Sequence, residues 1–223
     1  MSSVVQASSV TPQLEQWTGD FGRQFTDRNS LTPPEMDARY AKEYGVPRTV
    51  MNQEFLQELP RDLRILEVGA NIGNQLVFLQ MLGFTNLWGI EAADYGLELA
   101  RRRTSGINLV KGSAFDLPFK DGWFDLVFTS VVLIHISPDD LTGAMAEIHR
   151  CSRRYVWGFE YFADTPTAVH YRGKHDMCWK RNFAQLYQNQ FPDLKLVQQK
   201  LYKYTSDDNV DAMFLLEKAD RAE

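Results

Sequence analysis

What the chain has little of narrows its identity first. Its 223 residues hold two cysteines, Cys151 and Cys178, 27 positions apart with no Cys or His at zinc-ligand spacing beside them. Neither a disulfide scaffold nor a metal centre is expected. No stretch reaches the roughly 18 apolar residues that a membrane-spanning helix needs. Residues Met1 to Val10 lack the positive and apolar regions of a secretory leader. A cytoplasmic location with reduced thiols and no membrane partner is the expectation. Positive charge is also in short supply, since 24 Lys and Arg against 29 Asp and Glu leave a net charge of −5. That balance argues against nucleic acid as the main partner. Repeats and low-complexity tracts are absent, and a 44% hydrophobic, 24% charged composition is that of an ordinary globular protein.

The first dozen residues are small and polar, and fraying is expected there. Leu14 to Met36 reads as a helix and loop, with Trp17, Phe21 and Phe25 spaced four apart on one helical face. Pro33-Pro34 and Pro47 punctuate the chain, and Thr49 to Leu59 has the apolar spacing of a second helix, stopped by Pro60. From Arg64 short apolar runs alternate with helical segments, the pattern of βαβ units. Strands are expected at 65–68, 87–90, 107–110, 124–128 and 155–159, with helices at 75–82, 95–103, 141–151 and 182–191. The closing runs 194–204 and 210–216 flank the polar turn Ser206-Asp207-Asp208-Asn209, which suits an antiparallel hairpin. Residues 1–60 then form a tail and helical lid. Residues 61–223 form an α/β, Rossmann-like domain with an insert at about 162–181.

The first strand runs into Glu67-Val68-Gly69-Ala70-Asn71-Ile72-Gly73-Asn74, a glycine-containing turn that opens a helix. Doubly wound folds bind their ligands at that place. The turn lacks G-x-G-x-x-G, and the acidic Glu67 disfavours a pyrophosphate there, so the ligand is expected to have a positive end. Glu91 ends the second strand 18 residues after Gly73, where an acid accepts hydrogen bonds from ribose hydroxyls. A nucleoside is implied. Lys111-Gly112-Ser113-Ala114-Phe115-Asp116-Leu117-Pro118-Phe119 follows the third strand, and Phe124-Asp125-Leu126-Val127 makes the fourth.

These four ordered motifs, spread over about residues 65 to 151, resemble those of class I S-adenosylmethionine-dependent methyltransferases. The resemblance implies a seven-stranded, mostly parallel sheet in the order 3-2-1-4-5-7-6 with helices on both faces. It also implies that Glu67 and Gly69 lie by the methionine half of the cofactor, Glu91 by the ribose, and Ser113 and Ala114 by the adenine. Asn71, Gly73 and Ala92 complete the expected cofactor site. Two positions depart from the family pattern: Asn71 replaces a glycine, and Ser113 replaces an acid that in many members meets the adenine amino group. Three further segments look most like the methyltransferases associated with pseudaminic acid and other surface-sugar pathways. They are Trp17 to Gly22 with Asp27-Arg28-Asn29, Val132 to Ile136, and Tyr171 to Asp176 with Lys180 to Phe183.

Methyl transfer from an activated sulfonium needs chiefly positioning, and a base helps where the acceptor is a hydroxyl or protonated amine. His135, just past the fourth strand, and Glu160, at the end of the fifth, are the candidate catalytic residues. Arg28, Asn29, Tyr161, Tyr171, Arg172, His175 and Lys180 are candidates for holding a small polar, anionic acceptor such as a sugar, because cations clustered in an acidic chain suit a carboxylate or phosphate. The alternatives weighed beside this enzyme are a nucleotide-dependent oxidoreductase and a non-catalytic S-adenosylmethionine-binding module of a biosynthetic complex. Oligomeric state is not legible in the sequence.

Overall fold

The computed structural model describes residues 11–219, so the fraying expected at the N-terminus falls almost wholly outside the described residues. Four helices come first: α1 (Pro12–Thr18), α2 (Asp20–Arg28), α3 (Pro33–Tyr44) and α4 (Arg48–Leu56). The helix expected across Trp17, Phe21 and Phe25 is broken at Gly19, where the chain turns from α1 into α2. The three rings still meet, because Trp17 packs edge-on against Phe21 at 5.2 Å and against Phe25 at 5.1 Å. Pro33-Pro34 starts a helix, since a first-turn proline gives up an N–H that has no partner anyway. Thr32 and Glu35 cap that start reciprocally.

The chain then alternates β1 (Arg64–Val68), α5 (Asn74–Met81), β2 (Asn86–Glu91), α6 (Asp94–Arg103), β3 (Ile107–Lys111), β4 (Phe124–Ser130), α7 (Pro138–Cys151) and β5 (Ser152–Tyr161). A two-residue ribbon, β6 (Thr167–Ala168) with β7 (Trp179–Lys180), closes the insert. It is followed by α8 (Phe183–Gln190) and the hairpin β8 (Leu194–Lys203) and β9 (Val210–Lys218). The main sheet has the order β3-β2-β1-β4-β5-β9-β8. That is the expected 3-2-1-4-5-7-6 order, with the closing hairpin renumbered by the small ribbon. β1 to β5 are parallel, and β9 pairs antiparallel with both β5 and β8.

Alternation along the strands divides the core in two. Ile65, Leu126, Phe128, Trp157, Phe159, Met213 and Leu215 face α3, α4 and α5, while Leu66, Val127, Val156, Phe214 and Leu216 face α7 and α8. Met36, Tyr40, Met51 and Phe55 belong to the first of these cores. α4 is therefore packed wall, whereas α1, α2 and the cavity-facing side of α3 contribute to the cavity lining. Among the described residues no helix is long and apolar enough to cross a membrane.

Candidate active site

A cavity of about 520 Å³ opens at the carboxyl ends of β1, β2 and β4, a size typical of small-ligand sites. Its first wall is the turn after β1, where Gly69, Asn71 and Gly73 all have left-handed backbone, with φ of 77°, 46° and 78°. Asn is among the few non-glycine residues that visit this region routinely. Asn71 thus adopts the conformation that the missing glycine would supply. Its side chain also ties the turn to the N-terminal helices, because Oδ1 accepts from the Thr26 hydroxyl at 3.0 Å.

Glu91 bridges two turns. Its Oε2 accepts from the Asn71 N–H and its Oε1 from the Ala93 N–H, each at 2.7 Å. Burial pushes its pKa up, and these N–H groups pull against that rise. Each oxygen has a further lone pair for a ligand hydroxyl. Glu67 and Gln75 form the floor, and Glu67 Oε2 and Gln75 Oε1 are buried there without hydrogen-bond partners. Two orphaned acceptors lining one cavity are a costly arrangement that a cationic donor would relieve. Gly112, Ser113 and Ala114 make the opposite wall, with the Ser113 hydroxyl accepting from the Phe115 N–H at 3.3 Å.

His135 sits in a 3₁₀ turn after β4, packed between Trp17 at 4.4 Å and Tyr171 at 4.9 Å. Its Nδ1 lies 2.7 Å from the Met177 carbonyl oxygen, which can only accept, so Nδ1 carries the proton. Nε2 is left as a lone-pair acceptor with no protein partner. Burial lowers the pKa to about 4, so the ring is neutral at physiological pH.

Glu160 does not line the cavity. Strand alternation turns it to the α7 and α8 side, where its oxygens accept from the N–H groups of Val132 at 3.0 Å and Ile134 at 3.4 Å. It braces the turn that carries His135, so the structure places it away from the cavity where the catalytic role expected of it would be performed. That turn needs bracing because Val131 is held at φ 59°, a rare conformation for a β-branched residue. Burial pushes the Glu160 carboxyl up to about 7.

Beyond His135 the cavity reaches a polar end where the expected Tyr161 and Lys180 meet Tyr44, Tyr204 and Asp211, three residues that the sequence reading missed. Asp211 Oδ2 accepts from the hydroxyls of Tyr44 at 2.6 Å and Tyr204 at 3.2 Å, and burial pushes the Asp211 carboxyl up to about 6. Tyr161 stands opposite Asp211 in the β5–β9 register, and Lys180 donates to Asn209 Oδ1 beside them. The only available signal was Asp211 itself, an acid opening an otherwise apolar strand. Of the other expected acceptor residues, Asn29, Tyr171 and Arg172 line the cavity. Arg28 does not, and His175 is turned away to stack on His170 at 4.6 Å beside a smaller cavity between α1 and the insert. Gly73 shapes the turn without lining the site.

This sheet order, with the crevice at the ends of β1, β2 and β4, is a Rossmann-like fold, shared with a solved protein of Pyrococcus horikoshii at a TM-score of 0.67, 14% identity and 90% of this chain against 99% of the other. Comparison with known proteins places the chain further. Residues 66–155 match the methyltransferase domain family. An uncharacterized methyltransferase of Synechocystis is 34% identical over 87 residues, covering 39% of this chain and 41% of the relative. An O-methyltransferase of Aspergillus nomiae is 30% identical over 99 residues, covering 42% of this chain and 43% of the relative. The chain thus spans less than half the length of either curated relative. The solved 1,6-didemethyltoxoflavin-N1-methyltransferase of Burkholderia thailandensis, which binds that compound and S-adenosylhomocysteine, superposes with a TM-score of 0.70 at 16% identity. That match covers 97% of this chain and 94% of the other, and it demonstrates the shared fold.

Proposed function

We propose that the protein transfers a methyl group from S-adenosylmethionine to oxygen or nitrogen of a small polar acceptor. The observation that carries this reading is the pairing of orphaned acceptors Glu67 Oε2 and Gln75 Oε1 with Glu91 along one wall of the cavity. This donor-poor wall fits a ligand with an ammonium at one end and ribose hydroxyls further along. The methyltransferase-domain match over residues 66–155 supports the same ligand. The cofactor supplies an electrophilic methyl on a sulfonium, and the chain supplies placement.

Glu67 and Gln75 accept from the ammonium, Glu91 accepts from the ribose, and Ser113 and Ala114 flank the base. Trp17 and Phe25 cover the site and exclude water, which strengthens every polar contact inside. His135 Nε2 accepts a hydrogen bond from the acceptor group and takes its proton as the new bond to carbon forms. A buried imidazole with a pKa of about 4 is a weak base toward a neutral hydroxyl, but it is ample for the strongly acidic proton of a newly methylated hydroxyl oxygen. The mixed far end, with Asp211, Tyr161 and Lys180, suits an acceptor bearing several hydroxyls and an anionic group, in line with a sugar or related metabolite. The surface-sugar resemblance in the outer segments supports the same class.

Release of S-adenosylhomocysteine across a panel of sugars, nucleotide-sugars and small acids tests this reading. With an accepted substrate, His135→Ala is expected to lower turnover while leaving cofactor affinity nearly unchanged, and Glu91→Ala to weaken cofactor binding directly. Equal cofactor loss in both variants would remove His135 from the acceptor site.

A further inference from the structure

Arg48, at the start of α4, is fully buried, a rare state for an arginine. No carboxylate lies within ion-pair distance of it among the described residues. Its Nε donates to Asn52 Oδ1 at 2.8 Å and its Nη2 to the Ser130 hydroxyl at 3.4 Å, while Nη1 has no partner. The guanidinium lies 4.4 Å from the Phe159 ring centre and 5.8 Å from that of Trp157. The sheet register says what else is on this face. Glu67 pairs with Phe128, Phe128 with Trp157, and Ser130 with Phe159, so Glu67 shares one sheet face with every strand residue that Arg48 touches.

We infer that Arg48 is a positioning residue, the internal counter-charge that lets Glu67 ionise at the cavity floor when a cationic ligand end arrives. Both side chains are buried, both carry an orphaned polar atom, and among the described residues neither makes an ion pair. An isolated buried carboxylate is costly, and a cation on the same face offsets part of that cost. Around Glu67, burial pushes the carboxyl well up, Glu91 from β2 adds to the rise, and Arg48 from α4 and the Leu76 N–H from α5 oppose it. Around Arg48 the other titratable groups are Tyr40 from α3 and Tyr202 from β8. Glu67 therefore loses a proton as an ammonium docks, and Arg48 sets the pH at which it does so.

This inference rests on the cofactor reading above, and the test separates the two. S-adenosylhomocysteine is titrated calorimetrically into the wild type, Arg48→Met, Arg48→Lys, Glu67→Gln and the Arg48→Met/Glu67→Gln double variant between about pH 5 and 8. Failure of the wild type to bind would overturn the cofactor reading itself. If it binds, affinity is expected to climb with pH. In Arg48→Met that climb moves to higher pH, with affinity near neutrality down by roughly tenfold or more, and Arg48→Lys restores much of it. Glu67→Gln should abolish the climb and make the added loss of Arg48 nearly silent. A loss in Arg48→Met that is equal at every pH, or additive with Glu67→Gln, would reduce Arg48 to packing and overturn the inference. Thermal midpoints of all five proteins identify any variant that fails to fold, and Arg48→Lys keeps the test open in that event.

Discussion

The chemistry of single residues here depends on what burial does to their charges. His135 is the clearest case, with its Nδ1 proton fixed on the Met177 carbonyl oxygen and its pKa lowered to about 4. The unfolded chain binds a proton at this position near pH 6.5 and the folded chain only near 4. Stability from His135 is thus fully present above pH 6.5 and is lost as pH falls through that window. At ~1.4 kcal/mol per pH unit this amounts to about 3 kcal/mol. Denaturation of wild type and His135→Asn at pH 4 to 7 should show wild type gaining on the variant by that order as pH rises. A constant difference would mean that the ring is not held neutral by burial. Glu160 and Asp211 pull the other way, since their raised pKa values withdraw stability as pH rises through about 7 and 6. Both groups are present in both proteins and drop out of the comparison. Asn71 shows how far a residue can be read from sequence. Its departure from glycine was visible, whereas its left-handed backbone and its bond to Thr26 depend on α2, which is remote in sequence.

At the scale of elements, the site depends on two braces. Glu160 holds the strained turn from Val131 to His135, and Glu160→Ala should cost about 2 to 3 kcal/mol by leaving buried N–H groups unpaired, with Glu160→Gln recovering part. Chemical denaturation measures this, and an unchanged midpoint would deny the brace. The second brace is the α1–α2 corner. A Cβ on Gly22 would fall 1.7 Å from the Trp17 carbonyl oxygen, so Gly22→Ala must push the helices apart. The variant should release S-adenosylhomocysteine faster than wild type in stopped-flow displacement, because Trp17 and Phe25 would no longer cover the cavity. An unchanged off-rate would show that these helices do not gate the site. Strands and crossover helices were legible within a few residues because their apolar periods are strong. Gly19 and Pro33-Pro34 misled, because one residue can end one helix and begin another, and proline both stops and starts them. Glu160 misled for a different reason: a strand end indicates the right edge of the sheet, but alternation decides the face.

At the scale of the molecule, the ordered motifs between residues 65 and 151 revealed one end of the cavity and left the other hidden. The wall proposed to hold the cofactor is built from consecutive turns, so its residues are near each other in sequence. The far end joins Tyr44 of α3, Tyr161 of β5 and Asp211 of β9, three elements that only the sheet order brings together. Arg48 escaped notice for the same reason, because nothing in its local sequence marks it as buried on the sheet face that carries Glu67. The proposed function therefore turns on whether this cavity takes a nucleoside with a cationic end. The most direct test is equilibrium titration of the protein with S-adenosylhomocysteine, with NAD titrated in parallel. Saturable binding of S-adenosylhomocysteine at one site, with no response to NAD, is the predicted result. NAD binding, or silence toward S-adenosylhomocysteine, would contradict the account.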